Sequence, residues 1–172
     1  MNKRFVIYNT ILTFAMGFLV HNLYNWMPCT ITTIFPVNES LYEHMKLIYL
    51  CPIISSIILF FIFRKKNHKL NNFLFGLMIS TVFNIFLFYL VYLPFYRAYG
   101  SIMWMTLIIY FITIIISQYL YYLIINMKDN KRLDYISGIS LIVLFIILIY
   151  FTYHPLHIPF FEDPIHHYYG IK

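Results

Sequence analysis

The sequence predicts an all-α polytopic membrane protein, a bundle of five transmembrane helices with its N-terminus inside and its C-terminus outside. Three observations carry this. Hydrophobic residues make up 62% of the chain and charged residues only 10%, where an ordinary soluble domain carries about 25% charge. The apolar residues fall in five runs, each close to the roughly 20 residues a helix needs to cross the hydrocarbon core. The basic residues gather between those runs on one side. A soluble domain of this length still exposes about a third of its unfolded surface and cannot hide so much apolar area. The low charge excludes disorder as well.

The first run, about 5–25, follows Lys3 and Arg4 as a signal peptide would. No small-x-small cleavage site follows, since the chain reads Leu19-Val20-His21-Asn22, and a retained first helix is expected. The second run starts between Leu41 and Leu47 and ends at Phe63, so about 45–63 spans the membrane. The third is about 73–93, the fourth about 102–126 and the fifth about 135–153. Each is apolar all round, which suits a lipid-embedded helix and not an amphipathic one. The breaks are short: 64–69 and 128–132 are basic, and 94–101 opens on Pro94. With no repeat, flexible linker or second composition class, 1–172 reads as one transmembrane helical domain with an outer tail at 154–172.

Lys and Arg collect in cytoplasmic loops. With the N-terminus inside, Lys3, Arg4, Arg64, Lys65, Lys66, Lys69, Lys128, Lys131 and Arg132 are internal, nine of the twelve bases. Lys46, Arg97 and Lys172 stay outside. This accounts for the net charge of +6 without a nucleic-acid partner and puts the bases beside anionic headgroups of the cell membrane.

The same topology sorts the other polar groups. Glu39, Glu43, Glu162 and Asp163 fall outside, as do His21, His44, His154, His157, His166 and His167; only His68 is in a cytoplasmic loop. Histidine with carboxylate is the ligand set of zinc and related metals, and of general acid–base chemistry. Around the second helix start, Ser40 and Glu43 form a capping-box pattern, so Glu43 has a helix-capping role as its competing explanation; Glu39 and His44 do not. Three prolines keep 154–172 out of a regular helix. Its aromatic content predicts that it folds back over the outer mouth, with Phe160 and Phe161 at the interface.

Asn9, Thr10, Asn84, Thr113, Ser117 and Gln118 lie inside the spans and are expected to bond between helices. No ionisable residue falls mid-bilayer, which weighs against a proton relay. The abundance of Phe and Tyr, with Ala15 and Ala98 the only alanines, reads as the bias of an AT-rich genome and so is no sign of a ligand. Cys29 and Cys51 lie at unrelated depths and are expected to stay unbridged. No phosphate-binding loop, Cys-x-x-Cys or nucleophile elbow is present.

Three segments resemble a family of small bacterial multi-pass membrane proteins catalogued as a domain of unknown function. They are His21-Asn22-Leu23-Tyr24, the Pro-Val-Asn-Glu-Ser-Leu-Tyr-Glu-His string from Pro36 to His44, and Leu156-His157-Ile158-Pro159 through Asp163-Pro164 with Tyr169-Gly170-Ile171. Tyr42 occupies the family's tryptophan position. Leu156 stands where the family has proline, His154 is additional, and His166-His167 replace a Thr-Gly pair. The resemblance implies a helical membrane protein and supplies no reaction. The matching residues are His21, Asn38, Glu39, Glu43, His44, His157, Asp163 and Tyr169.

Two functions follow. In the first, the polar cluster is a structural lock that fastens the tail onto the first two helices of a small membrane partner or accessory protein. In the alternative, His21, His44 and His157 hold a metal such as Zn²⁺ with Asp163 or Glu39 as fourth ligand. Glu43 would then be the base for a metal-bound water, and the substrate a lipid or cell-envelope intermediate at the outer leaflet. A lock needs every group satisfied and no cavity; a catalytic site needs convergence and an open position.

Overall fold

A computed structural model describes residues 2–27, 29–64 and 70–171. The basic loop at 65–69, with Lys65, Lys66, His68 and Lys69, lies outside the described residues, as do Met1, Pro28 and Lys172. Among the described residues the chain forms five long helices: α1 (Asn2–Trp26), α2 (Leu41–Arg64), α3 (Phe73–Tyr99), α4 (Met103–Ile125) and α5 (Lys131–Tyr153). A short 3-10 turn, Thr30–Ile34, joins the first two. All five helices are long and apolar enough to cross a membrane. Helix α1 packs on α2 and α4, and α3 packs on α2, α4 and α5. Their outward faces carry rows such as Ile108, Ile112 and Ile116 on α4 and Ile139, Ile142 and Ile146 on α5, all exposed. Lipid tails are as apolar as these side chains, so such faces cost nothing in a bilayer.

Three boundaries differ from the sequence expectation. Helix α2 begins at Leu41, the earlier limit, which puts Glu43, His44 and Lys46 in its first two turns. Helix α3 runs through Pro94 to Tyr99; a membrane helix tolerates the one lost backbone bond because its neighbours hold it. It ends at Gly100, whose N–H bonds back to the Tyr96 carbonyl. Helix α5 starts at Lys131, because the Asn130 side chain accepts from the Leu133 N–H and Asp134 sits in the first turn, where the helix dipole favours an anion.

Of the six intramembrane polar residues expected to bond between helices, Asn9, Asn84, Ser117 and Gln118 do so, whereas Thr10 and Thr113 donate to the Val6 and Tyr110 carbonyls of their own helices. The Asn9 amide donates to Ser56 Oγ at 2.8 Å and to Gln118 Oε1 at 3.0 Å. Ser55 returns a bond to Asn9 Oδ1 at 2.8 Å, and Ser117 donates to Asn84 at 3.3 Å. This fixes α1 against α2 and α4, and α4 against α3, in a solvent where an unmet polar group is costly.

The tail folds back on the start of α2. The Tyr42 N–H donates to the Phe160 carbonyl at 3.0 Å, and the Asn38 amide donates to the Gly170 carbonyl at 2.9 Å. Glu162 and Tyr169 form an antiparallel bridge. Phe161 does not sit at the interface: it stacks on Tyr42 with ring centroids 4.3 Å apart and is 7% exposed. The flat Tyr42 ring gives it a better partner than headgroups would. Gly170 has φ +67°, and a Cβ there would stand 2.6 Å from the Thr152 carbonyl oxygen, so no other residue fits this close approach.

Candidate metal centre

Two polar clusters occupy the end of the bundle where α1 stops and α2 starts. In the first, Lys46 Nζ lies 2.7 Å from Glu43 Oε2, and both side chains are 1% exposed. The Val37 N–H donates to Glu43 Oε2 at 3.1 Å, and the Thr152 hydroxyl donates to Oε1 at 3.0 Å. Lys46 also donates to the Thr33 carbonyl and to Thr152 Oγ1, each at 2.9 Å. Half of the expected capping box forms: the Glu43 N–H donates to Ser40 Oγ. The Glu43 carboxylate reaches Val37 instead of Ser40, whose own N–H is taken by Asn38. Every group here has its partners.

The second cluster is His21, Glu39 and His44. Four residues separate Glu39 from Glu43, but Glu39 precedes the helix and turns to the other side of its start. Glu39 Oε2 lies 3.5 Å from His21 Nε2 and 3.6 Å from His44 Nε2. The two rings have centroids 5.3 Å apart. Among the described residues these three alone offer ligand atoms within 4.8 Å of one another. The distances are long for hydrogen bonds but close to the edges of a tetrahedral zinc site, about 3.4 Å for ligands about 2.1 Å from the ion. His44 Nδ1 lies 2.9 Å from the Ser40 carbonyl. A carbonyl only accepts, so Nδ1 carries the hydrogen and Nε2 presents its lone pair toward Glu39, the usual orienting contact behind a metal-bound imidazole. The His21 ring pulls the Glu39 carboxyl below the usual carboxylate range, with help from His44 and against partial burial and the Asp163 charge. Glu39 is therefore an anion at neutral pH.

The triad separates two hollows. A polar one of about 190 Å³ is lined by Asn25, Asn38, Asp163 and Tyr168 together with His21 and Glu39. A larger, mostly apolar cavity of about 430 Å³ runs from His21, Glu39 and His44 between α1, α2, α3 and α4. The open side that a catalytic ion requires is present.

The other expected site residues lie elsewhere. Asp163 is 1% exposed and accepts from the Ile165 and His166 N–H groups and lies 3.2 Å from His166 Nδ1, which caps the tail turn beside the polar hollow. His157 is exposed and packs on the Tyr169 ring at 4.9 Å. Glu43 is engaged by Lys46. His154 lies against Tyr150, and His167 against Glu162. No disulfide joins Cys29 to Cys51, which is buried. Lys46 is the structural residue that sequence reading passed over, although its i,i+3 spacing from Glu43 was a signal. The cavity walls, Phe88, Tyr92 and Tyr110 among them, gave none, because aromatics are everywhere in this chain.

No curated protein and no solved structure matches the chain. A family model matches residues 1–171, and the chain, an integral membrane protein by its five apolar spans, belongs to the family of unknown function DUF6512.

Proposed function

We propose that the protein is a membrane-embedded, metal-dependent hydrolase, with a first-row ion such as Zn²⁺ held by His21, Glu39 and His44. The observation that carries this is the convergence of two imidazole Nε2 atoms on one carboxylate oxygen at 3.5 and 3.6 Å, beside a cavity. Three protein ligands would leave one position open, and the ion would supply a Lewis acid and an activated water there, the chemistry that hydrolyses an ester-type bond of an amphiphile to acid and alcohol; the polar hollow beside His21 and Glu39 would take up the proton released. The excess of Lys and Arg in the loops at the other end of the bundle supports an outer-leaflet position for this site. The lock reading applies to a different set of residues: Asn38, Tyr42 and Asp163 hold the tail that roofs the site, and Glu43 with Lys46 ties α2 to α5 and to the chain before α2.

Elemental analysis of the detergent-purified protein after zinc loading and removal of excess is the test. About one metal per chain is expected in the wild type, lost in His21→Ala, Glu39→Gln and His44→Ala. No metal in the loaded wild type would overturn the reading and leave the cluster as part of the lock.

A further inference from the structure

The cavity below the triad has walls of one kind and ends of another. Along its length stand Phe14, Leu47, Phe88 and Leu107, and its head is His21, Glu39 and His44. Phe18 of α1 and Met103 of α4, 49% and 66% exposed, both line it, so it opens between these helices toward the surrounding lipid. Pro164 and Ile165 of the tail close it over the triad. A site polar at one end, apolar along its depth and open to the bilayer has the form of an amphiphile's binding site.

Its volume limits the occupant. At about 430 Å³ the cavity is near the small end of the roughly 300–1,000 Å³ of small-molecule sites, which favours one alkyl chain over the two of a bilayer phospholipid.

We propose that this cavity binds a single-chain amphiphile, with the chain along Leu47, Phe88 and Leu107 and the headgroup at the triad. The proposal deepens the hydrolase reading by naming its substrate class, and its test does not depend on the metal.

The protein in nanodiscs is photolabelled with a lysophosphatidylcholine carrying a mid-chain diazirine, and in parallel with a diacyl phosphatidylcholine carrying the same group; labelled residues are mapped by mass spectrometry. The lysolipid should mark the walls, at Leu47, Phe88 or Leu107. The diacyl lipid should mark outward residues such as Ile108 and Ile112. Leu107→Trp, which fills the cavity, should abolish wall labelling. Lysolipid labels confined to outward residues, equal wall labelling by the diacyl lipid, or wall labelling unchanged in Leu107→Trp would overturn the proposal. Labelled walls in the wild type without bound metal would refute the hydrolase reading alone, and bound metal with unlabelled walls would refute this inference alone.

Discussion

Glu39 and Glu43 are four residues apart in sequence and end in opposite chemical situations. Glu43 is 1% exposed, with Lys46 at 2.7 Å and further donors from Val37 and Thr152. Glu39 is 35% exposed, and its nearest charged partners are two imidazoles at 3.5 and 3.6 Å. Glu43 has spent its acceptor capacity on holding α2, α5 and the chain before α2 together. Glu39 faces two nitrogen atoms that are too far for good hydrogen bonds and well spaced for an ion between them. Saturation of partners separates the structural carboxylate from the one proposed as a metal ligand where residue type and sequence position do not.

The strongest way to break this comparison is to take one member out of the saturated cluster. Lys46→Met leaves Glu43 buried and charged without its cation. Breaking a buried pair this way costs about 3–5 kcal/mol. The expected outcome is a large fall in the thermal unfolding midpoint in detergent, or failure to accumulate. Glu43→Leu/Lys46→Met together should recover most of it, since removing both charges removes the orphan. A single variant as stable as the wild type would show that the cluster is not what holds α2, α5 and the chain before α2 together.

A smaller effect is expected at Asp163, which stands beside the open cluster but behaves like the saturated one. Burial pushes its carboxyl up, but the Ile165 N–H, the His166 ring and the His166 N–H prevail and hold it below its ordinary 3.8. A depressed carboxyl contributes stability that is fully present above its unfolded pKa and is lost as pH falls through the lower folded value. The tail should therefore stay docked from neutral pH down to about 4 and loosen below it. Asp163→Asn should loosen it at every pH, by about 1–3 kcal/mol for bonds to a buried charged acceptor. Hydrogen-exchange protection of amides 161–169, corrected for intrinsic rates, reads both. Equal protection in wild type and variant at pH 7 would assign the tail's docking to Asn38 and Tyr42 alone.

The sequence made the five spans legible because each is a long apolar run, and a membrane permits few alternatives to a helix there. It also made legible that histidines and carboxylates share one end of the bundle. The partition within that end was not legible. Glu39 and Glu43 are the same residue type in one motif, and which of them meets His21 depends on where α2 begins. Leu41 as the first helical residue leaves Glu39 in the preceding bend, turned to α1. Pro94 misled for a related reason: its local rule ends helices, and the packing of α3 against α4 overrides it. The cavity is a matter of tertiary geometry, in which Gly17, Phe88 and Tyr110 from three helices meet, and no periodicity encodes it.

At Glu39 itself the comparison predicts a variant that is quiet in stability and loud in binding. Glu39→Gln removes a partly exposed charge from two long contacts, and such pairs contribute about 0–1 kcal/mol. The unfolding midpoint in metal-free buffer should barely move. The metal-loaded proteins should differ, because only the wild type gains the stabilisation that ligand binding gives the folded state. A large loss of metal-free stability would place Glu39 with Glu43 and dissolve the distinction.

The smallest effect is expected at His157, whose sequence context matches that of His21 and His44 but whose position does not. Its ring is exposed and packs on Tyr169 at 4.9 Å, a contact worth about 0.5–1 kcal/mol. His157→Ala should therefore shift the unfolding midpoint only slightly and leave metal content at the wild-type level, in the experiment where His44→Ala empties the site. Loss of metal from His157→Ala with metal-free stability unchanged would overturn this expectation and put a tail residue in the coordination set. Retention of metal places the whole coordination set on α1 and the start of α2, with the tail serving only as the roof.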